Sequence, residues 1–434
     1  MLEGVTDTSG PHPGTSGPRR GDLLDLDVTN VAHGGVFVGR HEGRVVFVPD
    51  AIPGERVRVR LTDVGKKSFW RADTLEILEA SPHRRPHIWR QADVDVPPDS
   101  RPGGADFGHI ELSHQRALKL EVLTDALRRF GGVEVPVAME PAGARQKDTE
   151  DGTGWRTRVS LHVDRNGRVG PFAARSHTVV PVEDYPLATP GVQRTALRRT
   201  GGKPGRIDLV QPADGRVRVI HRPDSAKSAP PESREVVTER VGEREFRVDA
   251  GGFWQVHRLA AETLDAAVRA AVGAASPDGP DPDAWHLDLY GGVGLFAAAL
   301  AELGGTRVTS VESDARATGH AGENLAEWLA ARTLTARVDR FISALAADAS
   351  ASERERLSRG IVVLDPPRSG AGADIVRGLA GFGPAAIVYV ACDPVALARD
   401  VATFREGGYE LRAVQAYDLF PNSHHVEAVA TLTR

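Results

Sequence analysis

Cysteine is almost missing from this chain: one, Cys392, stands among 434 residues. A single thiol excludes an intrachain disulfide, a zinc finger and a cysteine-ligated iron–sulfur cluster, and no other metal site is expected. Long apolar runs are missing too. With no stretch of roughly 18 apolar residues and no basic-then-apolar leader, the expectation is a soluble, cytoplasmic protein without a membrane partner. An overall positive charge is also lacking, since 54 Lys and Arg face 59 Asp and Glu for a net charge of −5. That balance argues weakly against a nucleic-acid partner, but net charge hides distribution. What is present is apolar mass. At 41% hydrophobic residues the chain can bury a sizeable core, and its length predicts two or three domains.

Residues 1–20 are Gly, Pro, Ser and Thr with almost nothing to bury, and read as a disordered tail. From 21 to 80, VFVGR, GRVVFVP and ERVRVRLTDV alternate apolar and basic residues with the two-residue period of half-buried strands. Gly34 and Gly35, Gly43, and Pro53 with Gly54 punctuate them, which predicts a small β-barrel of the kind that binds oligonucleotides. Residues 31–90 hold 11 Lys or Arg against 7 Asp or Glu, so this part is basic while the whole is acidic. A solvated sheet face explains that equally well.

Residues 81–250 read as a central α+β domain. Loop-like SPHRRPHIWR and QADVDVPPDSRPGG precede a helical stretch at 112–131. WRTRVSLHVDRNGRVGPF then reads as two strands turning at Asn166 and Gly167. That hairpin carries Arg156, Arg158 and Arg168, candidates for phosphate contacts, although exposed arginines on hairpins often do nothing specific. The segment 222–235 reads as loop. From 251 onward short apolar runs (WHLDLY, RVTSVE, GIVVLD, AAIVYVAC) alternate with helical segments, including ARATGHAGENLAEWLAAR. This is the pattern of a doubly wound, mostly parallel sheet. Two final strands, YELRAVQAYDLF and HHVEAVATLTR, predict an antiparallel edge.

The strand ends of this second half carry the chemistry. In LDLYGGVGLF, Gly291, Gly292 and Gly294 let the backbone approach a ligand, and Glu312 follows Gly292 by twenty residues, suited to ribose hydroxyls. The pattern fits NAD and S-adenosylmethionine alike. LDPPRSG places Asp365 at a strand end before a stiff loop. VACDP leaves Cys392 at a strand end with Pro394 opening a helix. A helix N-terminus there predicts a thiol below its ordinary value of roughly 8.5. Glu427 lies near the start of the last strand and by spacing alone is no more than a surface charge.

GGFWQVH, LDLYGGVG, VLDPPRSG, YVACDP and FPNSHHVE, in this order, resemble the RNA uracil-5 methyltransferases. FVPDAIPGERVRVRL with the trailing SPHRRP resembles the TRAM domain that many of them carry. The resemblance covers nearly everything after residue 20. It implies a Rossmann-like class I methyltransferase domain with a seven-stranded, mostly parallel sheet, preceded by the TRAM-like barrel and the central RNA-binding domain. It also implies S-adenosylmethionine as cofactor, with Gln255, Tyr290, Gly292, Gly294, Leu295, Glu312 and Asp365 at the positions that hold it. Cys392 would add to C6 of a uracil and Glu427 would remove the C5 proton, on a nucleotide taken out of its stack in ribosomal RNA or, less favoured, transfer RNA. A monomer is the default expectation. Two departures stand out. Where many members place cluster-binding cysteines, this chain has Gly103, Gly104, Ala105 and Asp106, so no iron–sulfur cluster is expected. Asp393 replaces the usual asparagine after the cysteine and is expected to raise the thiol's pKa. Three other readings stay open: a C5-cytosine methyltransferase, an RNA-binding protein with a decayed site, and an N-methyltransferase suggested by DPPR.

Overall fold

The computed structural model describes residues 18–143 and 149–434; the predicted tail falls almost wholly outside them. Five strands, β1 (Leu23–Ala32), β2 (Val36–His41), β3 (Arg44–Val48), β4 (Arg56–Asp63) and β5 (Phe69–Glu79), close into a barrel in the order β1-β2-β3-β5-β4. Strict alternation explains the closure. Val57, Val59 and Leu61 of β4 point inward and are at most 1% exposed, while Arg56, Arg58 and Arg60 between them face outward. Phe107, Ile110 and Leu118 from beyond the barrel join its core.

Helix α1 (Leu112–Ala126) then leads to β6 (Val137–Pro141). The central sheet is formed by β7 (Arg158–Val163), β8 (Val169–Gly170), β9 (Gly205–Val210) and β10 (Arg218–Pro223), with α2 (Pro190–Leu197) between β8 and β9. The predicted turn is present, with Gly167 at φ +77°, and β7 pairs β8 across it. A second hairpin, β11 (Val236–Val241) with β12 (Arg244–Asp249), was not expected and packs on the helices that follow.

The remainder runs α3 (Ala260–Ala275), β13 (His286–Leu289), α4 (Leu295–Glu302), β14 (Val308–Glu312), α5 (Ala315–Asn324), β15 (Arg332–Thr335), α6 (Val338–Asp348), α7 (Ala351–Ser358), β16 (Ile361–Leu364), α8 (Ala373–Phe382), β17 (Ala386–Ala391), α9 (Pro394–Glu406), β18 (Glu410–Asp418) and β19 (Glu427–Thr433). The sheet order is β15-β14-β13-β16-β17-β19-β18-β6. Its inner strands are buried on both faces, against α3 and α4 on one side and α6, α8, α9 and α1 on the other. No helix among the described residues is long and apolar enough to cross a membrane.

One expectation is extended here and two are corrected. The methyltransferase domain supplies the seven expected strands, and an eighth, β6 from the central region, extends the sheet by pairing in parallel with β18 and covering its edge. The antiparallel strand β19 therefore lies inside the sheet, between β17 and β18. The helix expected over 315–332 stops at Asn324, whose amide nitrogen donates to the carbonyls of Val293 and Arg247, and Arg332 already begins β15.

Candidate active site

Register assembles the site. β17 pairs β19 antiparallel with Ala391 opposite Ala428, so one further step puts Cys392 across from Glu427. β16 lies parallel on the other side of β17, and Asp365 follows its last residue. Three groups from distant parts of the chain thus meet at one sheet edge.

Their electrostatics oppose one another. Glu427 is 5% exposed and its carboxyl is pushed well above the ordinary range, by burial first and then by Asp365. Asp365 is pushed up to about 7 by removal from water and by Asp288. The Cys392 thiol is pushed up to about 12 by burial, Glu427 and Asp365, with Arg368 pulling the other way. The expectation of a lowered thiol is therefore overturned, because two nearby carboxyls and burial outweigh the helix end. Asp393 does not act as expected either. Its Oδ1 accepts from the backbone NH groups of Val395 and Ala396, capping α9, and its Oδ2 meets His33 Nε2 at 2.9 Å. Neither the Glu427 nor the Asp365 carboxyl has a hydrogen-bond partner among the described residues. Buried acids left unpaired cost stability, and such groups gather where chemistry needs them.

A cavity of about 210 Å³ opens at Cys392, walled by Arg368, His425, Lys119 and the barrel's β1–β2 turn at His33 to Gly35. Gly35 has φ +73° and presses on His424 and Asp106 so closely that a Cβ would lie 2.5 Å from Asp106 Oδ2. A larger groove of about 1110 Å³ between barrel and α1 shares Ala32, His33 and Val122 with that cavity. Arg40, Phe47, Arg128 and Phe130 line its walls.

The segment carrying Glu427 is pinned by residues that spacing did not flag. Asn422, buried and at φ +64°, donates to the carbonyls of Asp151 and Gly152 and accepts from Gln115 Nε2 at 2.9 Å and Arg85 Nη2 at 2.5 Å. Lys119 Nζ, 0% exposed, donates to Asp418 Oδ1 at 2.6 Å and to the Phe420 carbonyl at 3.0 Å. Asp106 Oδ2 meets His424 Nδ1 at 2.5 Å. The sequence signal was faint: polar residues at a helical spacing on α1, with partners some 300 positions away.

The glycine turn after β13 makes a second concavity. Tyr290, Gly292 and Gly294 all have positive φ. Gly291 is a packing glycine, since a Cβ there would meet Ser310 Oγ and Asp288 Oδ2, whereas Gly292 faces open space. Glu312 accepts from the Gly292 NH at 3.2 Å. Asp288 lies beneath, fully buried, its Oδ1 unpartnered and its carboxyl pushed up to about 7. Leu295 opens α4 and is 8% exposed, so its side chain belongs to the core and only its backbone can face a ligand. Gln255 is half-buried, and its amide has no partner among the described residues.

The hairpin arginines separate. Arg158 turns inward, donating to the carbonyls of Ala250 and Gly252 and pairing with Glu239, so it ties the central sheet to the segment holding Gln255. Arg168 is exposed and paired with Asp164. Arg156 is half-buried with only its Nε engaged, to the Arg158 carbonyl. Where cluster cysteines would stand, Ala105 is packed in a core with Trp89 and Tyr185. Among the described residues no group of three or more His, Cys, Asp or Glu is arranged to hold a metal ion.

Against known proteins, residues 280–434 match the tRNA (Uracil-5-)-methyltransferase family model and residues 19–69 match the TRAM domain. An uncharacterized RNA methyltransferase of Streptomyces avermitilis is 37% identical over 95% of this chain and 98% of its own length. The chain belongs to the RNA uracil-5 methyltransferase family. A 23S rRNA (uracil(1939)-C(5))-methyltransferase of Shewanella denitrificans is 28% identical over 94% of this chain and 95% of its own. The Pyrococcus abyssi tRNA (uracil-54, C5)-methyltransferase, solved with S-adenosyl-L-homocysteine, shares the fold at a TM-score of 0.66 and 21% identity. It covers 94% of this chain and all of its own. The protein is therefore an RNA methyltransferase, and S-adenosylmethionine is its methyl donor. The glycine turn fits that cofactor: open space over Gly292 beside an acid at the next strand end is what a nucleoside with free ribose hydroxyls requires.

Proposed function

We propose that this methyltransferase modifies C5 of one uridine in RNA, 23S ribosomal RNA in preference to transfer RNA, with Cys392 as nucleophile and Glu427 as base. The observation that carries this is the convergence of Cys392 with the Glu427 and Asp365 carboxyls, neither of which has a hydrogen-bond partner among the described residues, beside a cavity at the sheet edge. C5 of uracil is a poor nucleophile. The Cys392 thiol gives its proton to solvent and its sulfur adds to C6, which makes C5 enolate-like. S-adenosylmethionine would supply the electrophilic methyl group and leave as S-adenosylhomocysteine. The Glu427 carboxylate then takes the C5 proton as the bond from sulfur to C6 breaks. Gln255, Tyr290, Gly292, Gly294, Glu312 and Asp365, with the backbone of Leu295, are proposed to hold the cofactor. Burial and neighbouring acids raise both Glu427 and Cys392, so the thiolate and the free carboxylate that the reaction needs belong to the bound state. The small cavity suits a base taken out of its stack, and the groove beside it suits the strand on either side. The preference for ribosomal RNA rests on the full-length likeness to the Shewanella enzyme. A cytoplasmic site of action follows from that substrate.

The test uses 5-fluorouridine-substituted 23S rRNA and tRNA transcripts with S-adenosylmethionine. Fluorine at C5 blocks proton removal, so wild type should be trapped as a covalent adduct and Cys392→Ala should not. The transcript that traps names the substrate. No adduct with either, from folded protein that binds cofactor, would overturn the proposal.

A further inference from the structure

A second cavity, of about 410 Å³, lies in the central sheet away from Cys392. Its walls are chemically uneven. Trp89 and Tyr185, with ring centroids 5.9 Å apart, give an aromatic side, and Ser160 and Asp208 give a polar one. Three arginines reach it. Arg158 is spent on backbone carbonyls and Glu239, and Arg206 is paired with Asp208. Arg156 is different. Among the described residues no carboxylate pairs with it, it sits 5.7 Å over the Trp155 ring, and burial and Arg368 both lower its pKa. A partly desolvated guanidinium with no counter-ion is costly unless an anion completes it.

This cavity is wired to the strand-end site. Trp155, the neighbour of Arg156, meets Phe420 edge-on at 6.1 Å, and Phe420 meets His425 at 5.5 Å. Arg368, which acts on Arg156, lines the cavity at Cys392. Arg368 at one cavity and Arg156 at the other are thus near enough to act on one another.

We propose that the central cavity is a second nucleotide pocket. It receives one unpaired nucleotide of the same RNA, with the phosphate on Arg156 and the base against Trp89 and Tyr185. Stacking on aromatic side chains and a phosphate on arginine are the ordinary means of holding an unpaired nucleotide. This extends the RNA methyltransferase reading, because the pocket selects substrate by a nucleotide that is not modified.

The test uses full-length Arg156→Ala and Ser160→Trp, the latter filling the mouth of the cavity without removing charge. Affinity for the 23S rRNA and tRNA transcripts is read by fluorescence anisotropy, with melting temperature and S-adenosylhomocysteine affinity as folding controls. Both variants should bind the preferred transcript about ten-fold or more weakly with the controls unchanged. In transcripts carrying single abasic sites, one position beside the target should weaken wild type and have no further effect on Ser160→Trp. Wild-type affinity in both variants, or an abasic penalty that adds in full to Ser160→Trp, would overturn the pocket. The outcome is separate from the function itself: an adduct with 5-fluorouridine RNA sustains the methyltransferase reading even if the pocket fails. If Arg156→Ala melts early, Ser160→Trp and the abasic scan still decide.

Discussion

Buried charge is handled in two opposite ways in this molecule. Around the barrel and α1 each buried ion is answered. Glu55 takes two bonds from Arg84 and two from backbone NH groups, Arg101 pairs with Asp50, and Lys119 pairs with Asp418. At the carboxyl ends of β16 and β17, Asp365, Glu427 and Cys392 crowd together, and neither carboxyl has a hydrogen-bond partner among the described residues. Paired ions hold the domains together, whereas the unpaired acids are a cost that the proposed chemistry explains.

Three substitutions sharpen or break that contrast. The largest effect is expected from Glu427→Gln, which should lower turnover by about 10²- to 10⁴-fold while adduct accumulates on ordinary uridine RNA, visible on denaturing gels. Its stability should move the other way. A carboxyl raised in the folded state contributes stability below its unfolded pKa and loses it as pH rises through the folded value. The variant should therefore gain on wild type in melting temperature as pH increases from about 4. Turnover at wild-type rate, or a pH-independent difference in melting, would make Glu427 one more structural acid.

Next in size is Lys119→Met. Removing one partner of a buried pair should cost about 3 kcal/mol or more in denaturant unfolding, with the loop at Phe420 loosened. A cost below about 1 kcal/mol would mean that Arg116, 3.0 Å from Asp418, suffices alone. The smallest effect belongs to His33→Ala. Asp393 raises the pKa of His33 through their hydrogen bond, against burial. The stability it adds is present below about 6.5 and lost above the raised value. With His33 47% exposed, about 0.5 kcal/mol at pH 6 and none at pH 9 is expected. An equal loss at both pH values would remove the ion pair from the account.

Much of the second half was legible locally. The four apolar runs ending at Tyr290, Glu312, Asp365 and Cys392 became β13, β14, β16 and β17, because period and glycine punctuation act over a few residues. The region before residue 250 was less legible. β9 to β12 are short, and the glycine turns between them, at Asp214 and Gly215 and at Gly242, mark loops as readily as hairpins, while β6 is a strand only because β18 offers it an edge. Arg158 read as a surface arginine since nothing in its hairpin reveals the carbonyls of Ala250 and Gly252 that turn it inward.

What the sequence by itself determined is which residues end strands and which turns can approach a ligand, since both follow from local sterics and hydrophobic period. The partners were decided by tertiary structure alone. Glu427 becomes a candidate base because antiparallel register sets it across from Cys392, 35 positions earlier in the chain. The thiol's pKa is raised for the same reason: burial first, then carboxyls delivered from neighbouring strands, outweigh the local pull of a helix end. Asp393 binds a histidine from the barrel, 360 residues away. Long-range electrostatics and packing depend on which surfaces meet, and no local pattern encodes that.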